Sequence, residues 1–122
     1  MKKLLLVEDN LETQLIIKAM FRDIYNVQGV DNSDDAFSLL SKEHFDVLLL
    51  DININGKGSG KDLLTQIREQ EKTKNLPVVM VTAYDLTPED EEFFSKNSNG
   101  VIYKPIDKKT LIAKVESLLN YN

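Results

Sequence analysis

The stretch DVLLLDININGKGSGKDLL, residues 46–64, decides how the chain is read. It opens with an apolar run that stops at a carboxylate, Asp51, and continues into GKGSGK, which looks like a phosphate-wrapping loop. An unbroken apolar run of strand length is what a parallel sheet covered on both faces requires. DVLLL (46–50) is therefore a buried strand, followed by a helix from about Lys61 to Gln70 that presents Leu63, Leu64 and Ile67. The nucleotide-loop pattern G-x-x-x-x-G-K-[ST] needs Gly at 55 and Ser or Thr at 62, where Asn55 and Asp62 stand. GKGSGK is then a flexible connection, with Gly56, Gly58 and Gly60 expected to permit positive φ.

The same strand–helix unit recurs outward from this stretch. Residues 3–7 (KLLLV), 26–30 (NVQGV), 77–81 (PVVMV) and 100–103 (GVIY) complete a set of five strands. The first helix starts behind Asn10 as N-cap, with Leu11, Leu15, Ile16, Ala19 and Met20 as its apolar stripe. The second begins near Ser33 with Ala36, Phe37, Leu39 and Leu40. The fourth has Thr87 as cap and Pro88 at its first position, and acids fill its first turn. The Phe93–Phe94 pair within it reads as packing. The last runs from about Lys108 to Asn120, capped by Asp107, with Leu111, Ile112, Val115, Leu118 and Leu119 inward. Five alternating β–α units with right-handed crossovers make a doubly wound α/β fold, a parallel sheet with helices on both faces.

The whole chain, residues 1–122, fits one domain. A net charge of −5 argues against non-specific nucleic-acid binding, which needs a positive face. With no cysteine, disulfides and thiolate metal sites are excluded, and the lone His44, read as structural, rules out a two-histidine site. The apolar run after Lys2-Lys3 ends too soon for an export signal, and no segment is long enough to span a membrane. A cytoplasmic protein is expected.

In an open parallel sheet, ligands bind at the carboxyl ends of the strands. There the strands end in Glu8-Asp9, Asp51, Thr82 and Lys104-Pro105, which the fold places on one rim. Clustered carboxylates repel unless a cation neutralises them, and a hard divalent ion, Mg²⁺ above all, suits oxygen ligands with retained water and a phosphate oxygen. A phosphoryl group between metal, lysine and hydroxyl would have each oxygen contacted.

LLLVEDN, VLLLDIN, VVMVTAY and YKPI, in that order over nearly the whole chain, resemble the receiver (phosphoacceptor) domain of two-component response regulators, of the single-domain CheY-like type. The resemblance implies a flavodoxin-like sheet of strand order 2-1-3-4-5 with five helices. It implies that Asp51 takes a phosphoryl group from the phosphohistidine of a histidine kinase or a phosphotransfer protein. Asp9 and Asp51 would bind Mg²⁺ (or Mn²⁺ in its place), Glu8 through water, and the Asn53 backbone carbonyl would complete the set. Lys104 would hold a phosphoryl oxygen, Thr82 and Ala83 would report phosphorylation, and the bond before Pro105 would be cis. Asn53 and Tyr84 would tune the lifetime of the phosphoryl group. No catalysis beyond the chain's own phosphorylation and dephosphorylation is implied, and the output would be protein binding, as a monomer or a phosphorylation-dependent dimer. Partners among nucleic acids and membranes are not implied.

The chain departs from the family pattern in two places. Val101 occupies the usual aromatic switch position, with Tyr103 two residues nearer the site. Asn55 replaces a loop proline, and Gly60 stands nine residues after Asp51, one more than usual, so a looser loop is expected, with Lys57 and Lys61 bringing positive charge towards the acids. A haloacid-dehalogenase-like phosphatase would want an acid two residues after its nucleophile, where this chain has Asn53. A receiver-shaped module that is never phosphorylated remains the other alternative.

Overall fold

The computed structural model describes residues 1–52, 59–82 and 86–119. Five parallel strands, β1 (Lys3–Val7), β2 (Asn26–Val30), β3 (Val47–Asp51), β4 (Val78–Thr82) and β5 (Val101–Tyr103), form one sheet of order β2-β1-β3-β4-β5. Helices α1 (Leu11–Met20), α2 (Ser33–Lys42), α3 (Gly60–Glu69), α4 (Pro88–Asn97) and α5 (Lys108–Leu119) connect and follow them. The strand order reverses between β1 and β3, so the crevice of the doubly wound fold opens above the ends of those two strands.

Side chains alternate across the sheet and build two cores. Leu5, Val7, Leu48, Leu50, Val78 and Met80 face α2, α3 and α4, meeting Ala36, Leu40, Leu63, Leu64, Ile67 and Phe94. Leu4, Leu6, Val47, Leu49, Val79 and Val81 face α1 and α5, meeting Ile17, Phe21, Leu111 and Val115. β3 and β4 are buried along their whole length, which explains their unbroken apolar sequence.

The helix starts follow their caps. Asn10, Asn32, Ser59 and Thr87 each accept a backbone N–H from the first turn that follows, and Asp107 accepts from Thr110. Asp62, which spoils the nucleotide-loop pattern, is the returning acid of a capping box with Ser59. Phe94 is buried in α4, with Phe93 against it edge-on at 5.3 Å. Among the described residues, no helix is long and apolar enough to cross a membrane.

Two expectations are corrected. The apolar stripe read in α1 faces outward: Leu11, Leu15 and Ile16 are 69%, 67% and 51% exposed, and Ala19 is exposed as well. The face turned to the sheet carries Gln14 and Ile17, with Met20 partly covered and Phe21 just beyond the helix. Gly60 does not have positive φ; Gly100 alone does among the described residues. Gly60 serves closeness instead: a Cβ there would lie 2.7 Å from the Asp51 carbonyl oxygen, so α3 can start against the end of β3 only without a side chain. Gly56 and Gly58 lie outside the described residues, as do Asn55 and Lys57.

Candidate functional site

Three strand ends and the turn after β1 converge at the carboxyl edge of the sheet. Asp51 is the last residue of β3, 5% exposed, and Thr82 the last of β4, 4% exposed. Glu8 follows β1, 1% exposed, and Asp9 stands beside it on the surface side. Carboxylate oxygens of Glu8, Asp9 and Asp51 lie within 4.8 Å of one another. Lys104 follows β5, and its backbone N–H donates to the Thr82 carbonyl at 2.7 Å. Its ammonium reaches back over the rim to Asp51 Oδ2 at 3.1 Å and Glu8 Oε1 at 3.3 Å. The Lys104–Pro105 peptide is cis. Asn53, Ala83 and Tyr84 lie outside the described residues.

The electrostatics of the cluster are those of a site built around more negative charge than it neutralises. Burial pushes the Glu8 carboxyl up to about 7; the neighbouring Asp51 carboxylate adds to this, while the Asn10 N–H and Lys104 oppose it. Burial works against the Lys104 ammonium, but Asp51 and Glu8 outweigh it and hold its pKa above the ordinary value. A hard divalent cation among these oxygens would relieve the repulsion and let Glu8 ionise. The donor set fits such an ion: all oxygen, acidic and gathered within 4.8 Å of one another.

Residues placed near the site by sequence divide into two groups. Glu8, Asp9, Asp51, Thr82 and Lys104 stand on one rim. Lys61 does not supply charge to it: its ammonium is engaged with Asp90 at 2.7 Å and lies 5.1 Å from the centre of the Phe93 ring, tying α3 to α4. Val101 packs partly against the core, and Tyr103, 37% exposed, ends β5. His44 stands away from the rim, 3.2 Å from Asp46 at the start of β3. Sequence reading missed Gln14, a buried amide that donates to the Glu8 carbonyl at 2.9 Å. Its signal was a polar residue in helical register with Ile17 and Phe21.

A doubly wound sheet with an acidic cluster and a lysine at its carboxyl rim is the architecture of a receiver-type signalling domain. The family model described as response regulator receiver domain matches residues 4–116, and the chain belongs to that family. It is 36% identical over 118 residues to chemotaxis protein CheY-3 of Vibrio cholerae, covering 95% of this chain and 90% of that one. A candidate response regulator from Chloroflexus aurantiacus superposes with a TM-score of 0.90 at 25% identity, covering 98% of both chains. The receiver domain of a Pseudomonas aeruginosa sensor histidine kinase, crystallised with a magnesium ion coordinated in its active-site cleft, superposes with a TM-score of 0.88 at 26% identity, covering 98% of both.

Proposed function

We propose that the chain accepts a phosphoryl group on Asp51 from the phosphohistidine of a histidine kinase or phosphotransfer protein, and that it signals through protein binding that depends on this modification. The observation that carries the reading is the Lys104 ammonium held 3.1 Å from Asp51 while carboxylate oxygens of Glu8 and Asp9 stand within 4.8 Å of the same carboxylate. Phosphoryl transfer needs alignment and charge neutralisation more than covalent help, and this rim offers both.

Glu8, Asp9 and Asp51, joined in the family pattern by the Asn53 carbonyl, would hold Mg²⁺, or Mn²⁺ in its place. When bound, that ion supplies positive charge to the phosphoryl oxygens. Asp51 attacks phosphorus as its donor's N–P bond breaks, and the electron pair leaves with the imidazole. Lys104 neutralises one phosphoryl oxygen, and the Thr82 hydroxyl donates to another, joined in the family pattern by Ala83, which couples the end of β4 to the modification. Water then cleaves the acyl phosphate and returns the carboxylate. Turnover is confined to the chain's own phosphoryl group, so the protein is a signalling component of the cytoplasm rather than an enzyme acting on other substrates.

The face of α4, β5 and α5 is the proposed output surface, with a chemotaxis-type pathway the first to examine given the relative named for it. The test is phosphate incorporation from acetyl phosphate, with and without Mg²⁺, in the natural chain and in Asp51→Ala. One labile, cation-dependent phosphoryl group lost in the variant supports the reading. No adduct on the natural chain sinks it, and sustained turnover of phosphomonoesters would replace it with a phosphatase.

A further inference from the structure

Gln14 is 6% exposed in a helix that leaves Leu11, Leu15 and Ile16 largely in solvent. Burying a carboxamide where a leucine would gain from burial makes sense only if the amide satisfies something. Its Nε2 donates to the Glu8 carbonyl and to the Val30 carbonyl, both at 2.9 Å. These oxygens lie where β1 and β2 finish. The Glu8 N–H shares the Val30 oxygen at 3.0 Å, and the Gln14 N–H holds the Asn10 carbonyl at 3.0 Å. The turn Glu8-Asp9-Asn10 is thus held at both ends by one residue of α1.

Gly29 completes the arrangement. A Cβ there would lie 2.7 Å from Gln14 Oε1 and 2.9 Å from Lys18 Cε, so the amide sits in the space that this glycine leaves. A glycine inside a strand ordinarily weakens it, and close approach of another group is a recognised reason for one.

We propose that Gln14, seated against Gly29, is a positioning residue for the cation site: it fixes the backbone of the Glu8–Asn10 turn so that Glu8 and Asp9 meet Asp51 at ligand distance before any ion binds. Without it, the Lys104 ammonium alone would hold the turn towards β3 against the repulsion of the acids. Outer-shell hydrogen bonds of this kind govern metal affinity strongly although they touch no metal. The inference rests on the proposed cation-dependent reading of the rim.

The experiment is Mg²⁺ titration by calorimetry, together with amide hydrogen exchange of the metal-free chain, on the natural protein, Gln14→Met, Gly29→Ala and Arg68→Met. Arg68 is a half-buried residue remote from the rim and controls for loss of stability alone. Gln14→Met should weaken Mg²⁺ binding about tenfold and speed exchange at the Glu8 amide more than at Leu49 or Leu50. Gly29→Ala, which keeps the amide but displaces it, should move both readouts in the same direction, and it decides the matter if Gln14→Met does not fold. Affinity unchanged in both rim variants, or lowered equally by Arg68→Met, overturns the inference. Failure of the natural chain to bind Mg²⁺ would instead count against the cation-dependent reading; Glu8 exchange unaltered by Gln14→Met or Gly29→Ala would still overturn the positioning claim.

Discussion

The two ends of the sheet use partly buried charge in opposite ways. At the amino edge, the Arg68 guanidinium donates to the carbonyls of Asn97, Lys74 and Leu76 at 2.7, 3.0 and 2.7 Å, and to Asn99 Oδ1 at 3.1 Å. Asn99 Oδ1 also accepts the N–H of Val78, and Asp46 accepts that of Lys3. The Arg68 charge is spread over neutral acceptors in a fixed geometry, as a structural staple requires. At the carboxyl edge, Glu8, Asp9 and Asp51 crowd together, and Glu8 and Asp51 share the Lys104 ammonium. One edge closes its electrostatics within the chain; the other leaves them to be completed by an ion and a phosphoryl group. That difference separates a site from a scaffold better than burial does, since both edges carry at least partly buried charged groups.

The largest break in the contrast should come from Lys104→Met. Phosphorylation by acetyl phosphate in saturating Mg²⁺ should slow by about 10²-fold, the cost of losing one aligned electrostatic donor; an unchanged rate would remove Lys104 from the mechanism. Arg68→Met should do the reverse. Leaving two part-buried carbonyls without their donor should cost about 2 kcal/mol in urea unfolding, with the phosphorylation rate of the folded fraction unaltered.

The third prediction concerns pH. In the metal-free folded chain Glu8 titrates at about 7 against its ordinary 4.5. Between those values the folded state keeps a proton that the unfolded chain has released. Its contribution to unfolding free energy therefore falls as pH rises through this window, by a total on the order of 3 kcal/mol. Glu8→Gln should flatten that slope. Saturating Mg²⁺ should oppose it, because binding needs the carboxylate and strengthens as pH rises. A metal-free stability that climbs across the window equally in both chains would contradict the strained-rim account. The smallest effect is expected from Lys61→Met: its pair with Asp90 is partly exposed, so about 0.5 kcal/mol of stability and no change in Mg²⁺ affinity should follow.

Much of this was legible in sequence because the dominant signals are local. The unbroken apolar run at β3 announces a strand with two covered faces, and the caps at Asn10, Thr87 and Asp107 announce helix starts. Glu8, Asp9, Asp51, Thr82 and Lys104 were readable as a set because strand ends in this topology share one rim. What escaped depends on packing between segments. Helical periodicity shows that α1 has an apolar stripe, but not whether the sheet takes that stripe or the face carrying Gln14 and Ile17. The glycines after Asp51 suggested backbone freedom, whereas Gly60 answers to the proximity of the Asp51 carbonyl, a constraint set by a neighbour that sequence does not display. Lys61 looked like charge for the acids until Asp90 stood next to it.

The most direct test of the central claim is to locate the phosphoryl group chemically. After treatment with acetyl phosphate and Mg²⁺, borohydride reduces an aspartyl phosphate to homoserine with release of phosphate, and peptide mapping finds the residue changed. Homoserine is expected at position 51 alone, and none when the cation is chelated. Homoserine at position 9, a reduced side chain at Glu8, or no reduced residue at all would contradict it.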